Sequence, residues 1–276
     1  MPHDPPQMSQ AKDRVRDFWN EASCGEVYAD GESVRDRLEA QAKARYYLEP
    51  YIFDFARFAD GKDRDVLEIG VGMGADHLEW AKAGPAKLVG VDLTPRAVDH
   101  TRSRFRVAGY RPSVFVADAE QLPFAAESFD LVYSYGCLHH SPNTAQAISE
   151  VFRVLRKDGT ARIMIYHSAS LVGALLWVRY ALLRGKPFVS LKEIYARHLE
   201  SPGTQAFNKA EARQLFKQFE HVNLRVKLGF GDLLLGDVGQ RHQGAALSLA
   251  KALWPRWLLR RFDGLVGLGL LIEARK

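Results

Sequence analysis

The chain has 276 residues, 47% of them hydrophobic and 26% charged, and a net charge of +5. That suits one large globular domain with a sizeable core, or one domain with appendages. Two cysteines, Cys24 and Cys137, exclude a disulfide framework, and no metal-ligand spacing points to a metal. The mild basic charge, without a long run of like charges, argues against a nucleic-acid partner. A reducing cytoplasm is the expected location. The polar start of the chain is unlike a signal peptide, and no apolar run is long enough to cross a bilayer.

In chain order, residues 1–10 read as a disordered, proline-containing lead. A short helix is expected at Ala11–Asn20, with Val15, Phe18 and Trp19 on one side. A longer helix starts at the N-cap Ser33 and ends near Glu49, before Pro50. Residues 1–60 are thus a helical cap, and the aromatic residues from Tyr46 to Phe58 pack it onto the rest.

From Asp65 the rhythm is strand, helix, strand. Val66–Ile69 is a buried strand carrying Glu68. Gly70, Gly72 and Gly74 form a turn into a helix over Ala75–Ala83, which Gly84-Pro85 ends. A second strand ends at Asp92, and Thr94-Pro95 opens a helix to about Ala108. Ser113–Ala117 ends at Asp118. Phe129–Ser134 is the fourth strand, Asn143–Leu155 a helix, Lys157-Asp158-Gly159 a turn and Ala161–Tyr166 the fifth strand. This alternation implies a parallel sheet with helices on both faces.

The pattern then changes. Ser168–Pro202 shows no clear strand and reads as part of a lid inserted at about 168–205. Asn208 with Glu211 caps a further helix to about Phe219, and His221–Leu228 is a strand. A second insertion covers about 230–263, with a basic, aromatic helix at Trp254–Phe262, before a last strand at Gly267–Ala274. The expected fold class is α/β: a Rossmann-like doubly wound sheet, mostly parallel with an antiparallel C-terminal strand, spanning residues 61–276 beneath the cap.

The chemistry starts at the strand ends. Glycines lacking a Cβ let a ligand approach the turn, and the following helix offers its unpaired N–H groups. Asp92 is placed to accept ribose hydroxyls, and Glu68 to orient the glycine loop. Asp118 is placed to accept the exocyclic amine of adenine, with a backbone N–H beside it at Ala119. Gly70-x-Gly72-x-x-Ala75 with Asp92 about 20 residues on also fits a dinucleotide fingerprint, so an NAD(P)-dependent oxidoreductase is an alternative. Three acids at consecutive strand ends suit an adenosine with a cationic arm better, because they repel a pyrophosphate.

The run Glu68-x-Gly70-x-Gly72-x-Gly74, Asp92, Ala117–Phe124, Ser128–Val132, Leu138-His139-His140 and Glu150–Gly159 resembles class I S-adenosylmethionine-dependent methyltransferases. Within that class it resembles the small-molecule branch that includes the quinone-ring methyltransferases. The resemblance covers residues 65–166 and implies S-adenosyl-L-methionine as cofactor. It implies that Gly70, Gly72 and Gly74 approach the methionine part, that Asp92 holds the ribose and that Leu93 lies against the adenine. Asp118 and Ala119 would bind the adenine edge, and Tyr133, Ser134 and Tyr135 would line the floor between cofactor and substrate. Trp19 and Tyr28 would cover the cofactor from the cap.

Methyl transfer from a sulfonium needs mainly orientation, and a base only when the nucleophile arrives protonated. His140 and His167, after the fourth and fifth strands, are the first choices for that base; a structural role for the His139-His140 pair is the alternative. The expected acceptor is a small, partly apolar molecule with an O, N or C nucleophile, enclosed by lid and cap. Leu171–Leu183 and Trp254–Arg261 are also compatible with a membrane surface or a homodimer contact, with core packing the plainer reading. Outside catalysis, the alternative is a cofactor-binding regulatory protein.

Overall fold

The computed structural model describes residues 6–235 and 254–276. Its strands are β1 (Asp65–Ile69), β2 (Lys87–Asp92), β3 (Val114–Val116), β4 (Phe129–Tyr135), β5 (Leu155–Tyr166), β6 (His221–Lys227) and β7 (Gly269–Arg275). They form one sheet in the order β3-β2-β1-β4-β5-β7-β6. The pairs from β3 to β5 are parallel, and β7 runs antiparallel to both β5 and β6. The fold is therefore the expected mostly parallel sheet. Its antiparallel last strand is inserted between β5 and β6, not added outside them.

Strand alternation divides β1 between two cores. Leu67 and Ile69 join the cluster under α6 (Thr144–Val154) and α9 (Lys209–Leu215). Val66 joins the cluster under α3 (Ile52–Ala56) and Trp80. The chain leaves β1 toward β2 and β3, then returns to the other side at β4. The reversal opens a crevice beyond the carboxyl ends of β1 and β4, where α/β sheets bind ligands.

Local chemistry explains the helices around that crevice. After β1 comes α4 (Ala75–Lys82), and after β2 comes α5 (Pro95–Ala108), capped by the Thr94 side chain with proline at its first position. In the cap, α2 (Val34–Leu48) opens with a reciprocal Ser33–Asp36 capping box. The first helix, α1, spans Pro6–Glu21, so residues 6–10, expected as a disordered lead, are helical. Residues 1–5 of that lead lie outside the described residues.

Two further expectations change. β5 starts at Leu155 and runs through the expected Lys157-Asp158-Gly159 turn, with the register shift between Phe129 and Leu131 absorbing the irregularity. The lid is a helical hairpin of α7 (Leu171–Tyr180) and α8 (Leu191–His198), N-capped by Ser170 and Ser190. Within the second insertion, a helix at Arg256–Leu259 and a 3-10 turn at Arg260–Phe262 replace the single expected helix. Residues 236–253 of that insertion lie outside the described residues. Among the described residues no helix is long and apolar enough to cross a membrane.

Candidate functional site

A cavity of about 240 Å³ lies over the carboxyl ends of β1 and β4. Its floor is the glycine loop. Gly70 has φ +84° and Gly72 φ +51°, in the left-handed region that favours glycine. A Cβ on Gly70 would come within 2.5 Å of the Cys137 Cβ, whereas one on Gly72 would meet nothing within 4 Å. Gly70 is therefore fixed by packing, while Gly72 leaves open space for a ligand. Gly74 (φ +75°) packs against Thr101.

Asp92 ties this loop to β2. Its Oδ2 accepts the Gly72 N–H at 3.1 Å, and its Oδ1 accepts the Thr94 N–H at 3.0 Å and hydroxyl at 2.9 Å. Burial pushes the Asp92 carboxyl up, against these hydrogen bonds. Leu93 and Ala119 line the same cavity. Glu68 also faces it, and its Oε2 lies 2.9 Å from His77 Nδ1 on α4. Burial raises the Glu68 carboxyl well above its usual range and lowers His77 to about 3, so the pair is held neutral. Glu68 thereby anchors the helix that follows the loop.

At the end of β3, Asp118 Oδ1 accepts the Glu120 N–H at 2.8 Å. Its Oδ2 lies 2.9 Å from Lys12 Nζ on α1, and that ammonium also reaches Glu120 Oε2 at 2.7 Å. The cap is thus latched to the third strand end by a charge that the sequence pattern did not single out. Arg45 of α2 makes a second latch. Its Nε and Nη2 hold the two oxygens of Asp76 at 2.8 and 2.6 Å, and Tyr46 and Tyr133 donate to the same carboxylate. Burial opposes ionisation of Asp76, but Arg45 and these donors outweigh it and hold its carboxyl low.

The far end of the cavity belongs to the lid. His140 sits in a 3-10 turn after β4, with its Nδ1 2.8 Å from Ser201 Oγ and 3.1 Å from Thr204 Oγ1. The Thr204 hydroxyl donates to the Ser201 carbonyl, so toward His140 it can only accept. Nε2 lies 3.3 Å from Glu200 Oε2, an oxygen that also accepts the Tyr166 hydroxyl. Trp19 lies edge-on to the His140 ring at 5.0 Å. Val15, Met164, Val172, Leu199, Phe230 and Leu268 supply apolar wall. Glu49 faces the cavity with the Tyr51 and Tyr135 hydroxyls donating to it, and burial raises its carboxyl.

Of the residues expected from sequence, Glu68, Gly70, Gly72, Gly74, Asp92, Leu93, Asp118, Ala119, Trp19 and His140 share this one cavity. Four lie elsewhere. Tyr133 is wholly buried beneath Asp76, and the Ser134 hydroxyl is spent on the Ile69 carbonyl, so Tyr135 is the wall residue of β4. Tyr28 lines an adjoining cavity of about 100 Å³ that shares Trp19, Glu49 and Glu200. His167 is outside the cavity; its Nδ1 lies 3.2 Å from the Ala169 and Gly267 carbonyls, so it pins the lid's root. His139, His140 and Glu200 place ligand-type atoms within 4.8 Å of one another.

Residues 67–163 match the family model described as a methyltransferase domain. The chain is similar to a ubiquinone/menaquinone biosynthesis C-methyltransferase of Geotalea uraniireducens, at 28% identity over 61% of this chain and 76% of that protein. It is also similar to a fatty-acid O-methyltransferase of Mycolicibacterium smegmatis, at 34% identity over 44% of this chain and 43% of that protein. A Haemophilus influenzae protein is matched at 34% identity over 45% of its length, so the chain spans under half of several curated relatives. Among solved structures, a Haemonchus contortus phosphoethanolamine N-methyltransferase holding S-adenosylhomocysteine shares the fold. Its TM-score is 0.61 at 17% identity, over 95% of this chain and 60% of that one. A methyltransferase-like protein of Bacillus halodurans matches at TM-score 0.53 and 24% identity, over 81% and 98% of the two chains.

Proposed function

We propose that the chain, whose residues 67–163 match a methyltransferase domain, is a class I S-adenosylmethionine-dependent methyltransferase that methylates a small, partly apolar metabolite. The observation that carries this is one continuous cavity. The glycine loop, Asp92 and Asp118 lie at one end, and His140 with the lid's apolar wall at the other.

The donor set fits S-adenosylmethionine. Gly72 gives open space where the methionine part would approach. Arg45, beside the loop, is a cation for its carboxylate. Asp92 has a carboxylate for the ribose hydroxyls, and Asp118 has one for the adenine amine, with Leu93 and Ala119 against the ring. Bound there, the cofactor supplies a methyl group on a sulfonium, an activated leaving group.

The chain's own work is then orientation, exclusion of water and removal of one proton. The lid and Trp19 shut the acceptor end, and orienting two reactants in this way contributes roughly 7–11 kcal/mol. The acceptor's O–H or N–H points at His140 Nε2 and gives up its proton there as the nucleophile takes the methyl group. The imidazolium so formed faces Glu200 at 3.3 Å, which stabilises its charge. The names of two relatives, a ubiquinone/menaquinone biosynthesis C-methyltransferase and a fatty-acid O-methyltransferase, support an apolar acceptor.

Calorimetry with S-adenosylmethionine, S-adenosylhomocysteine and NAD tests the reading. Binding of the first two is expected, with loss of both in Asp92→Ala, a variant that also gives up the Gly72 and Thr94 hydrogen bonds and so melts lower while remaining folded. Binding of NAD alone would overturn it. Incubating the protein with labelled cofactor and quinol or fatty-acid acceptors then separates an enzyme from a cofactor-binding regulator.

A further inference from the structure

We infer that the tip of the lid hairpin, between α7 and α8, is a docking surface for an anionic phospholipid bilayer. The base of the hairpin has its own small core of Val172, Leu176, Ala181, Ile194, Tyr195 and Leu199. That core takes only Ala181 and Val189 from the tip and leaves its larger apolar side chains outside it. Phe188 is 99% exposed and Leu183 75%, with Val178, Leu182 and Leu191 also exposed.

These residues are not on a floppy strand. Lys186 N–H returns to the Ala181 carbonyl at 2.9 Å, Val189 N–H to Lys186, and the Trp177 indole N–H to the Val189 carbonyl at 2.9 Å. The turn therefore presents Phe188 outward in a defined position. Scattered exposed apolar residues are ordinary, but a fixed cluster is a contact surface.

The charge selects the partner. Between Val178 and Lys192 the chain carries Arg179, Arg184, Lys186 and Lys192 and no acid. The next acid, Glu193, is paired with Arg197 at 3.0 Å. Apolar side chains beside cations that no acid opposes among the described residues match the boundary between lipid headgroups and acyl chains. A second copy of this chain offers no such match, because like-charged tips repel. The other ends of both helices reach the cavity through Val172 and Leu199. On the proposed function, which this last step rests on, a lipid-soluble acceptor then enters beneath the lid from the bilayer.

Flotation with phosphatidylcholine vesicles, with and without phosphatidylglycerol, tests the surface without any use of catalysis. Binding is expected to the anionic vesicles and to weaken with salt. Arg184→Glu with Lys186→Glu should weaken it well over tenfold, since each cation neutralised costs about fivefold. Phe188→Ser with Leu183→Ser should abolish retention while leaving S-adenosylhomocysteine binding unchanged. Absence of binding to anionic vesicles, or binding indifferent to both double variants, would overturn the proposal. So would a stable dimer in which the tip is protected. Failure of the wild-type protein to bind S-adenosylhomocysteine would instead count against the methyltransferase reading alone.

Discussion

Lys12 Nζ lies 2.9 Å from Asp118 Oδ2, so one ammonium on the first helix closes the cap over the third strand end. The same ammonium satisfies Glu120, whose side chain is almost wholly buried. Removing it leaves a buried carboxylate short of a partner and frees α1, which carries Val15 and Trp19 into the cavity wall. Hydrogen bonds to charged groups contribute roughly 1.5–3 kcal/mol. Lys12→Ala should therefore raise the S-adenosylmethionine Kd by about tenfold or more in calorimetry. An unchanged Kd would mean that the cap closes without this latch.

The two loop glycines should separate folding from binding. Gly70→Ala combines a left-handed backbone with a collision at the Cys137 Cβ, so it should cost about 2–4 kcal/mol in urea unfolding. Gly72→Ala meets no atom, and only the backbone strain of about 1–2 kcal/mol remains. Its methyl group projects into the space assigned to the cofactor. The variant should stay folded and lose cofactor binding. Equal stability of the two variants would refute this division.

The sheet was legible because β1, β2 and β4 write their own environment: apolar runs ended by acids or glycines, which only a buried parallel strand requires. Asp92 and Asp118 followed from those strand ends. Lys12, Arg45 and Glu200 did not, because the partners that place them in the site lie far along the chain and no periodicity encodes them. Arg45 meets Asp76 from a different helix, and Glu200 meets His140 only once the lid has folded back. Tyr133 and Tyr135 share a strand face, so alternation does not say which is buried and which reaches the cavity. His167 looked equivalent to His140 by position alone. The Gly267 carbonyl that occupies it arrives from just before the last strand, 100 residues later.

The cap has an acid-labile fastening. Arg96 of α5 holds Glu26 through contacts of 2.8 and 2.5 Å, and this pairing lowers the Glu26 carboxyl to about 2 from 4.5. A depressed carboxyl pKa contributes stability that is full above 4.5 and lost as pH falls through about 2. The urea midpoints of wild type and Glu26→Gln should differ at neutral pH and converge as the medium is acidified across that window. A gap that persists at the acid end would show that the Glu26 charge is not what Arg96 holds.

The proton path makes the sharpest claim on the lid. His140 lines the cavity, its Nδ1 contacts the Ser201 and Thr204 hydroxyls, and its Nε2 lies 3.3 Å from Glu200 Oε2. A general base contributes about 10²–10⁴-fold, so His140→Gln should lower kcat by that factor with little change in cofactor Kd. Glu200→Gln keeps a hydrogen-bonding group but removes the charge that stabilises the imidazolium. It should lower kcat by about tenfold to a hundredfold and leave KM nearly unchanged. Thr204→Val removes one of the two hydroxyls that hold His140 Nδ1, and kcat should fall without loss of folding. If all three variants turn over like wild type, the acceptor arrives already deprotonated, and His140 only shapes the wall against which it is held.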